Sequence, residues 1–215
     1  MSIGLIWLFL TKILLASSIH TQVTHTRILH FITNVASTLV RLRRDLVTST
    51  LPSFSMVLRL LLLALRTIRP QLGGKQTKQV SYTLPYWLNP AMPLGVEEAR
   101  AVGRLLTSIQ AKTVPRTFKE KNKVKDKEHA ESLVQAFSKH APFVLLAYIE
   151  AVNDPLCILP LSIRKELDPG LYVLCDVMGD HGRDALMVSA LDAGGKAVLK
   201  KLWGEYVKQK YVGKG

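Results

Sequence analysis

The chain has 215 residues, 48% of them hydrophobic and 21% charged, with a net charge of +13 and a pI near 9.9. That composition excludes a chain disordered over most of its length, and the charge favours polyanionic partners, either nucleic acid or an anionic membrane surface. The two cysteines, Cys157 in PLCILPL and Cys175 in LYVLCDVM, exclude a disulfide framework and read as buried free thiols in a reducing compartment.

The charge is uneven. Residues 1–70 carry eight basic side chains to one acidic, and residues 71–130 carry eleven to five. Residues 131–194 reverse the balance with four basic to nine acidic, and residues 195–215 return to six to one. An acidic late-middle region between basic ends is unlike a uniform nucleic-acid sleeve.

The opening run MSIGLIWLFLTKILLASS is apolar enough to resemble a signal peptide or anchor. No Lys or Arg precedes it, and Lys12 cuts it into pieces well short of the ~20 apolar residues that span a bilayer. Residues 1–20 are therefore read as an apolar helix buried in a helical array. A membrane anchor over residues 3–16 is the alternative. In Val23–Leu46 the apolar positions Ile28, Phe31, Ile32, Val35, Leu39, Leu42 and Leu46 step by three and four, which predicts one helix closed by Arg41, Arg43 and Arg44. A second helix is predicted over Ser53–Arg69, with Phe54, Val57, Leu58, Leu61, Leu62, Leu65 and Ile68 inward and an end at Pro70 and Gly73-Gly74. Two such helices with a short joint predict an αα-hairpin, the unit of helical solenoids.

YTLPYWLNPAMPLG reads as an ordered connector. Its two tyrosines and Trp87 suit packing over helix ends; stacking on bases would call for a basic partner beside them. VEEARAVGRLLTSIQ is a helix with Glu97 and Glu98 in its first turn and Ala99, Val102, Leu106 and Ile109 inward. PRTFKEKNKVKDKEH is nearly all charged and predicts a mobile basic loop at about 115–128 that links helices or touches phosphates. Helices resume with AESLVQAFSKH, then APFVLLAYIEAV ended by NDP, then a short LPLSIRKEL. A separate DPGLYVLCDVM follows, with Asp168 as N-cap and Pro169 at its first position. No sustained alternating pattern predicts a strand. The fold class is all-α, an irregular helical-hairpin array resembling a HEAT or armadillo solenoid segment, with residues 21–215 as its main domain.

MGDHGRDALMVSALDAGGKAVLKKLW holds acids, a histidine, a double glycine and a lysine, the components of a metal or phosphate site. A phosphate loop fails twice: Ala197 stands where the hydroxyl should follow Gly195-Lys196, and Ala190 stands where the first glycine should be. Asp180, His181 and Asp184 have no second histidine nearby in sequence, so a metal-dependent hydrolase remains a minor reading. Helix ends explain the residues better. Gly179 ends one helix, an acid opens the next, Gly194-Gly195 turn the chain, and Val198, Leu199, Leu202, Trp203, Tyr206 and Val207 form the last inner stripe. Lys196, Lys200, Lys201, Lys208 and Lys210 lie mostly off that stripe.

SKHAPFVLLAYIEAV and the run from GLYVLCDVM to the C-terminus resemble the C-terminal domain of a nucleolar pre-ribosome-associated family. These are the Urb/Npa-type proteins of large-subunit pre-rRNA processing, second member. Leu191, Asp192, the small residues Ala193–Gly195, Lys200, Leu202, Tyr206 and Gly213-Lys214 carry the likeness most strongly. LVRLRRDLVTSTLPSF in the first helix pair is similar to the opening of that domain. The resemblance implies a nuclear, nucleolar, non-enzymatic helical scaffold in ribosome biogenesis, with no cofactor or small-molecule substrate. Its implied partners are pre-rRNA and assembly factors of the pre-ribosomal particle, among them a DEAD-box helicase complex and a larger Npa-type protein. Family members are very long, so the chain is expected to correspond to their C-terminal domain. Expected RNA or partner contacts are Arg41, Arg43, Arg44, Lys119, Lys121, Lys123, Lys125, Lys196, Lys200 and Lys201. The acidic 131–194 stretch is expected to meet a basic protein.

Overall fold

A computed structural model of the chain describes residues 3–15, 25–85, 87–111 and 133–212. The predicted loop over 115–128 lies outside them. The described chain is all-α apart from one pair of two-residue strands. In chain order the elements are α1 (Ile3–Leu15), α2 (His25–Leu42), α3 (Arg44–Thr48), α4 (Leu51–Ala64), β1 (Thr67–Ile68), α5 (Gly74–Ser81) and α6 (Val96–Ser108). There follow α7 (Ala141–Asn153), β2 (Cys157–Ile158), α8 (Leu161–Ser189) and α9 (Ala193–Val212). Residues 133–137 are also helical.

One continuous core runs from Trp7 to Tyr206. α1 buries Trp7 and Leu10 against α4, the Trp7 ring lying 5.1 Å from Phe54, which in turn lies 5.8 Å from Phe137. Residues 3–15 of the N-terminal run thus form a helix packed on α4. Leu5, Leu8 and Phe9 on its other side stay about half exposed.

The stripe of α2 is rotated from the predicted one. Leu29, Ile32, Thr33, Ala36 and Val40 are buried, whereas Phe31 and Leu42 are exposed. Two adjacent apolar rows run along this helix, and the row with the smaller residues faces α6. Thr33 can be buried because its hydroxyl donates to Leu29 O at 3.0 Å. The predicted single helix over 23–46 breaks at Arg43 (φ −138°, ψ 54°), and α3 starts a new turn.

The α4 stripe is as predicted up to Leu65. The helix then stops at Ala64, before Pro70, because the chain is drawn off to pair with β2. Ile68 pairs with Cys157, and the Arg69 N–H donates to Leu156 O at 3.1 Å. The expected hairpin of α2 with α4 is not the main packing. α2 packs chiefly on α6, and α4 packs on α1 and α7.

Three punctuation marks in the sequence act differently in the fold. Gly73-Gly74 open α5 rather than ending α4, with Gly73 at the N-cap. Pro169 and Asp168 do not start a helix; they lie inside α8, which runs through the exposed proline. The lost hydrogen bond is offset by buried Ile163, Leu167, Gly170, Leu171 and Leu174, which hold both halves to the core. Gly194-Gly195 are the first turn of α9, whose N-cap is Asp192: its Oδ1 accepts the Gly195 N–H at 2.7 Å. Gly179 does end a straight segment. Its φ of 70° with ψ of 178°, open in practice only to glycine, kinks α8.

α6 and α8 cross in close contact through two glycines. A Cβ on Gly103 would strike the backbone carbonyl of Glu166, and one on Gly170 would lie 2.9 Å from Gly103 O and 2.6 Å from Leu106 Cβ. Neither glycine can take a side chain without moving a helix.

Candidate interaction surface

The three arginines at the α2–α3 corner part company. Arg41 is exposed on the last turn of α2. Arg43 is exposed but forks onto Asp45, with Nε and a terminal nitrogen 3.3 and 3.1 Å from the two carboxylate oxygens. Arg44 is buried. It donates to Val40 O at 3.1 Å, to Ser108 O at 3.2 Å and to Ala111 O. Ser108 and Ala111 lie at the end of α6, where carbonyls lack helical partners, so Arg44 caps that end. Burial lowers its pKa, yet a guanidinium stays charged. Its charge is therefore spent inside the fold. Lys119, Lys121, Lys123 and Lys125 lie in 112–132, outside the described residues; Ala111, which Arg44 holds, is the last described residue before them.

On α9, Lys200 and Lys201 are exposed and Lys196 is half-buried. Among the described residues, neither Lys200 nor Lys201 forms an ion pair, though Lys201 lies in the field of Asp168. Burial first, then Glu205, raises the Asp168 carboxyl; Arg164, Lys165 and Lys201 oppose them.

Among the described residues, the fold does not gather these cations into one site. The start of α9 lies on α7, Gly194 against Asn153 and Gly195 against Ile149. Its other end, about 20 Å away at 1.5 Å per residue, reaches the end of α6. There Tyr206 donates to Asp176 at 2.6 Å, Gln110 donates to Asp176 at 2.7 Å, and Lys210 lies 3.1 Å from Asp176. The Tyr206 hydrogen bond holds the Asp176 carboxyl below its usual range; burial opposes it, and Lys210 and Gln110 reinforce it.

Sequence reasoning missed the pairs that bind distant segments. Arg100 forks onto Glu166 at 2.9 and 3.0 Å and also holds Glu97 at 2.7 Å. Arg66 reaches Asp154 at 2.7 Å. No local pattern signals partners 66 or 88 residues apart. Arg183 holds both Asp180 and Asp184 at 2.8 Å and lies over the Trp203 ring at 4.9 Å. The suspected metal motif is thus a clamp between the end of α8 and α9. Much of the acidic stretch is engaged within the fold. Among the described residues, Asp154, Glu166, Asp176, Asp180 and Asp184 pair with cations and Asp192 caps a helix, while Glu150 stays exposed outside any ion pair. Both cysteines are buried and free, as read, and burial pushes Cys157 up to about 11 and Cys175 to about 12. Neither thiol is a ready thiolate at neutral pH.

Asp154 gives a testable pH signature. Its burial favours the neutral form. Hydrogen bonds from Leu156 N–H (2.8 Å), Arg66 and the Cys157 thiol, with the Arg66 charge, outweigh that and hold the carboxyl below its ordinary value. A depressed folded pKa contributes stability above the unfolded value of about 4 that is lost as pH falls through the folded value. Asp154→Asn should cost about 2 kcal/mol at pH 7. The gap between variant and parent in urea unfolding should narrow as the pH falls below about 4. An equal gap at both ends of the pH range would remove Asp154 from the acid transition.

The fold defines an all-α protein in which, among the expected contact residues described, exposed Arg41 lies on α2 and exposed Lys200 and Lys201 lie on α9. Among the described residues no helix is long and apolar enough to cross a membrane, and no three metal-ligating side chains cluster. The Urb2/Npa2 protein-family model matches residues 1–214, and the chain belongs to that family. No curated protein and no solved structure matches it. Membership implies a role in ribosome biogenesis, association with the pre-ribosomal machinery and work in the nucleus.

Proposed function

We propose that the chain is a non-catalytic scaffold domain of a nucleolar factor that acts in large-subunit pre-rRNA processing and early pre-ribosome assembly. The observation that carries this reading is the family match over residues 1–214. The physical picture is consistent with it. Arg66–Asp154, Arg100–Glu166 and Lys210–Asp176 tie distant segments together, and the two thiols are buried. Helix faces with exposed cations supply the outer contacts, in an irregular array of the HEAT or armadillo kind. The partners are pre-rRNA and assembly factors, including a DEAD-box helicase complex and a larger Npa-type protein. Contact with phosphates falls to Arg41, to Lys200 and Lys201, and to the lysines at 119–125.

Sedimentation of the tagged chain from nuclear extract on a sucrose gradient tests the reading. The chain should co-migrate with large pre-ribosomal particles and their pre-rRNA. Lys200→Glu with Lys201→Glu should lower the co-migrating fraction several-fold, with circular dichroism unchanged, since both side chains are exposed and outside ion pairs. A chain found only at the top of the gradient, or in a membrane pellet, overturns the proposal. Unchanged co-migration of the double variant removes these two lysines from it.

A further inference from the structure

α5 and the residue after it form a surface that stability does not explain. The helix is polar nearly all round. Only Val80 is buried, and with Leu84 just beyond the helix it holds the segment to the body. Lys75, Lys78 and Gln79 are exposed, and Tyr82 is 73% exposed. Tyr82 keeps helical geometry (φ −71°, ψ −17°), and its N–H donates to Lys78 O at 3.2 Å. The four side chains therefore share one arc of roughly 100° at 3.6 residues per turn, opposite Val80. From Lys75 to Tyr82 the arc runs about 10 Å, the rise of roughly three stacked nucleotides.

Its electrostatics are one-sided. No acidic residue occurs between Asp45 and Glu97. Among the described residues no carboxylate pairs with Lys75 or Lys78. No acid stands in the first turn of α5, where one would favour the helix; Lys75 stands there and opposes the dipole. Such a cation costs local stability and adds to the positive field of the helix start. Trp87 of the neighbouring connector is buried, so it belongs to packing. Tyr82 has beside it the basic partners that base stacking needs, and they become visible only once α5 is known to be a helix.

We propose that this face binds single-stranded RNA, with Lys75 and Lys78 on successive phosphates, Tyr82 stacked on an unpaired base and Gln79 within reach of a base edge. The proposal rests on the ribosome-biogenesis reading for its choice of RNA over other polyanions. The side chains that make the contact lie on a segment fixed by its own hydrogen bonds. Ser81 Oγ donates to Thr77 O and Thr83 Oγ1 to Val80 O, each at 2.8 Å. The platform is thus ordered before it is occupied.

The test is fluorescence anisotropy of a short labelled single-stranded RNA of mixed sequence with the full chain, over a range of salt. Lys75→Ala with Lys78→Ala should reduce the slope of log affinity against log salt by roughly 1.4, at about 0.7 per phosphate on a single strand. Tyr82→Ala should weaken binding on the order of ten-fold with the salt slope unchanged, and Tyr82→Phe should restore it, because stacking needs the ring and not the hydroxyl. No binding by the intact chain overturns the proposal, as does binding that none of these variants alters. Tighter, equally Lys75- and Lys78-dependent binding to polyglutamate or to phosphatidylserine vesicles overturns the choice of RNA. The sedimentation experiment separates the two readings. If Tyr82→Ala loses RNA affinity while the parent chain fails to co-migrate with particles, the contact stands and the scaffold role falls. If the chain co-migrates but does not bind the RNA, the scaffold role stands and this face is not the contact.

Discussion

Gly103→Ala is expected to destabilise the chain by about 3 kcal/mol, the upper end of the usual cost of overpacking. The reason is the identity of the neighbour. A methyl group at Gly103 meets the backbone carbonyl of Glu166, within α8, rather than the tip of a side chain that could swing away. Glu166 is also clamped by the fork from Arg100, one turn before Gly103 on the same α6, so the two helices cannot slide apart freely there. Gly170→Ala should cost a comparable amount, since its Cβ would press on Gly103 O and Leu106. The two changes force the same separation of the same helices, so the double variant should cost less than the sum by roughly 1 kcal/mol. Urea unfolding of the four proteins decides the matter. Full additivity would mean that the two glycines yield independently and that no shared crossing is strained. Native-like stability of Gly103→Ala would show that α6 and α8 lie farther apart than described.

How much of this was legible in the sequence varies with the range of the interaction. The stripes of α4, α6 and α9 could be read directly, because helical periodicity is a local property and their apolar rows are single and wide. The stripe of α2 was read one position off, because two apolar rows compete and only the presence of α6 decides between them. α5 could not be read at all: with Val80 alone buried it has no stripe, and its glycines look like a stop. Pro169 has the look of a start, and only packing on both sides of it lets α8 continue. The candidate surface divides in the same way. Lys200 and Lys201 could be placed outside from their positions off the α9 stripe. Arg44 could not be distinguished from Arg41 and Arg43, because what buries it is the end of α6, more than sixty residues away in sequence. The acidic stretch looked like a free surface for the same reason, since Arg66 and Arg100, which consume two of its carboxylates, lie far upstream.

The two sides of α1 should respond in opposite ways, and this tests whether the N-terminal apolar run is core or anchor. Trp7 is fully buried, against Phe54 at 5.1 Å, and Phe54 carries the contact on to Phe137 at 5.8 Å. Trp7→Ala removes a large aromatic side chain from the junction of α1 and α4, which should cost about 3–5 kcal/mol. Against a typical total of about 5–15 kcal/mol, that is enough to lower the thermal midpoint by many degrees or to leave part of the population unfolded. Leu8→Ser with Phe9→Ser removes more apolar surface in sequence terms. Both side chains are about half exposed, at 50% and 55%, so the pair should cost well under half as much as the single tryptophan. An anchor would invert the ranking. Its outward apolar face would carry the membrane contact, so the double serine variant would move the protein from the pellet to the supernatant, and Trp7→Ala would leave that partition unchanged. Thermal unfolding and a flotation assay on the same three proteins read both quantities. A large loss of stability for Trp7→Ala, with no change in partition for any variant, assigns α1 to the core. The buried ring of Trp7 favours that result, because an aromatic packed between helices contributes where it excludes water and has no surface left to offer a bilayer.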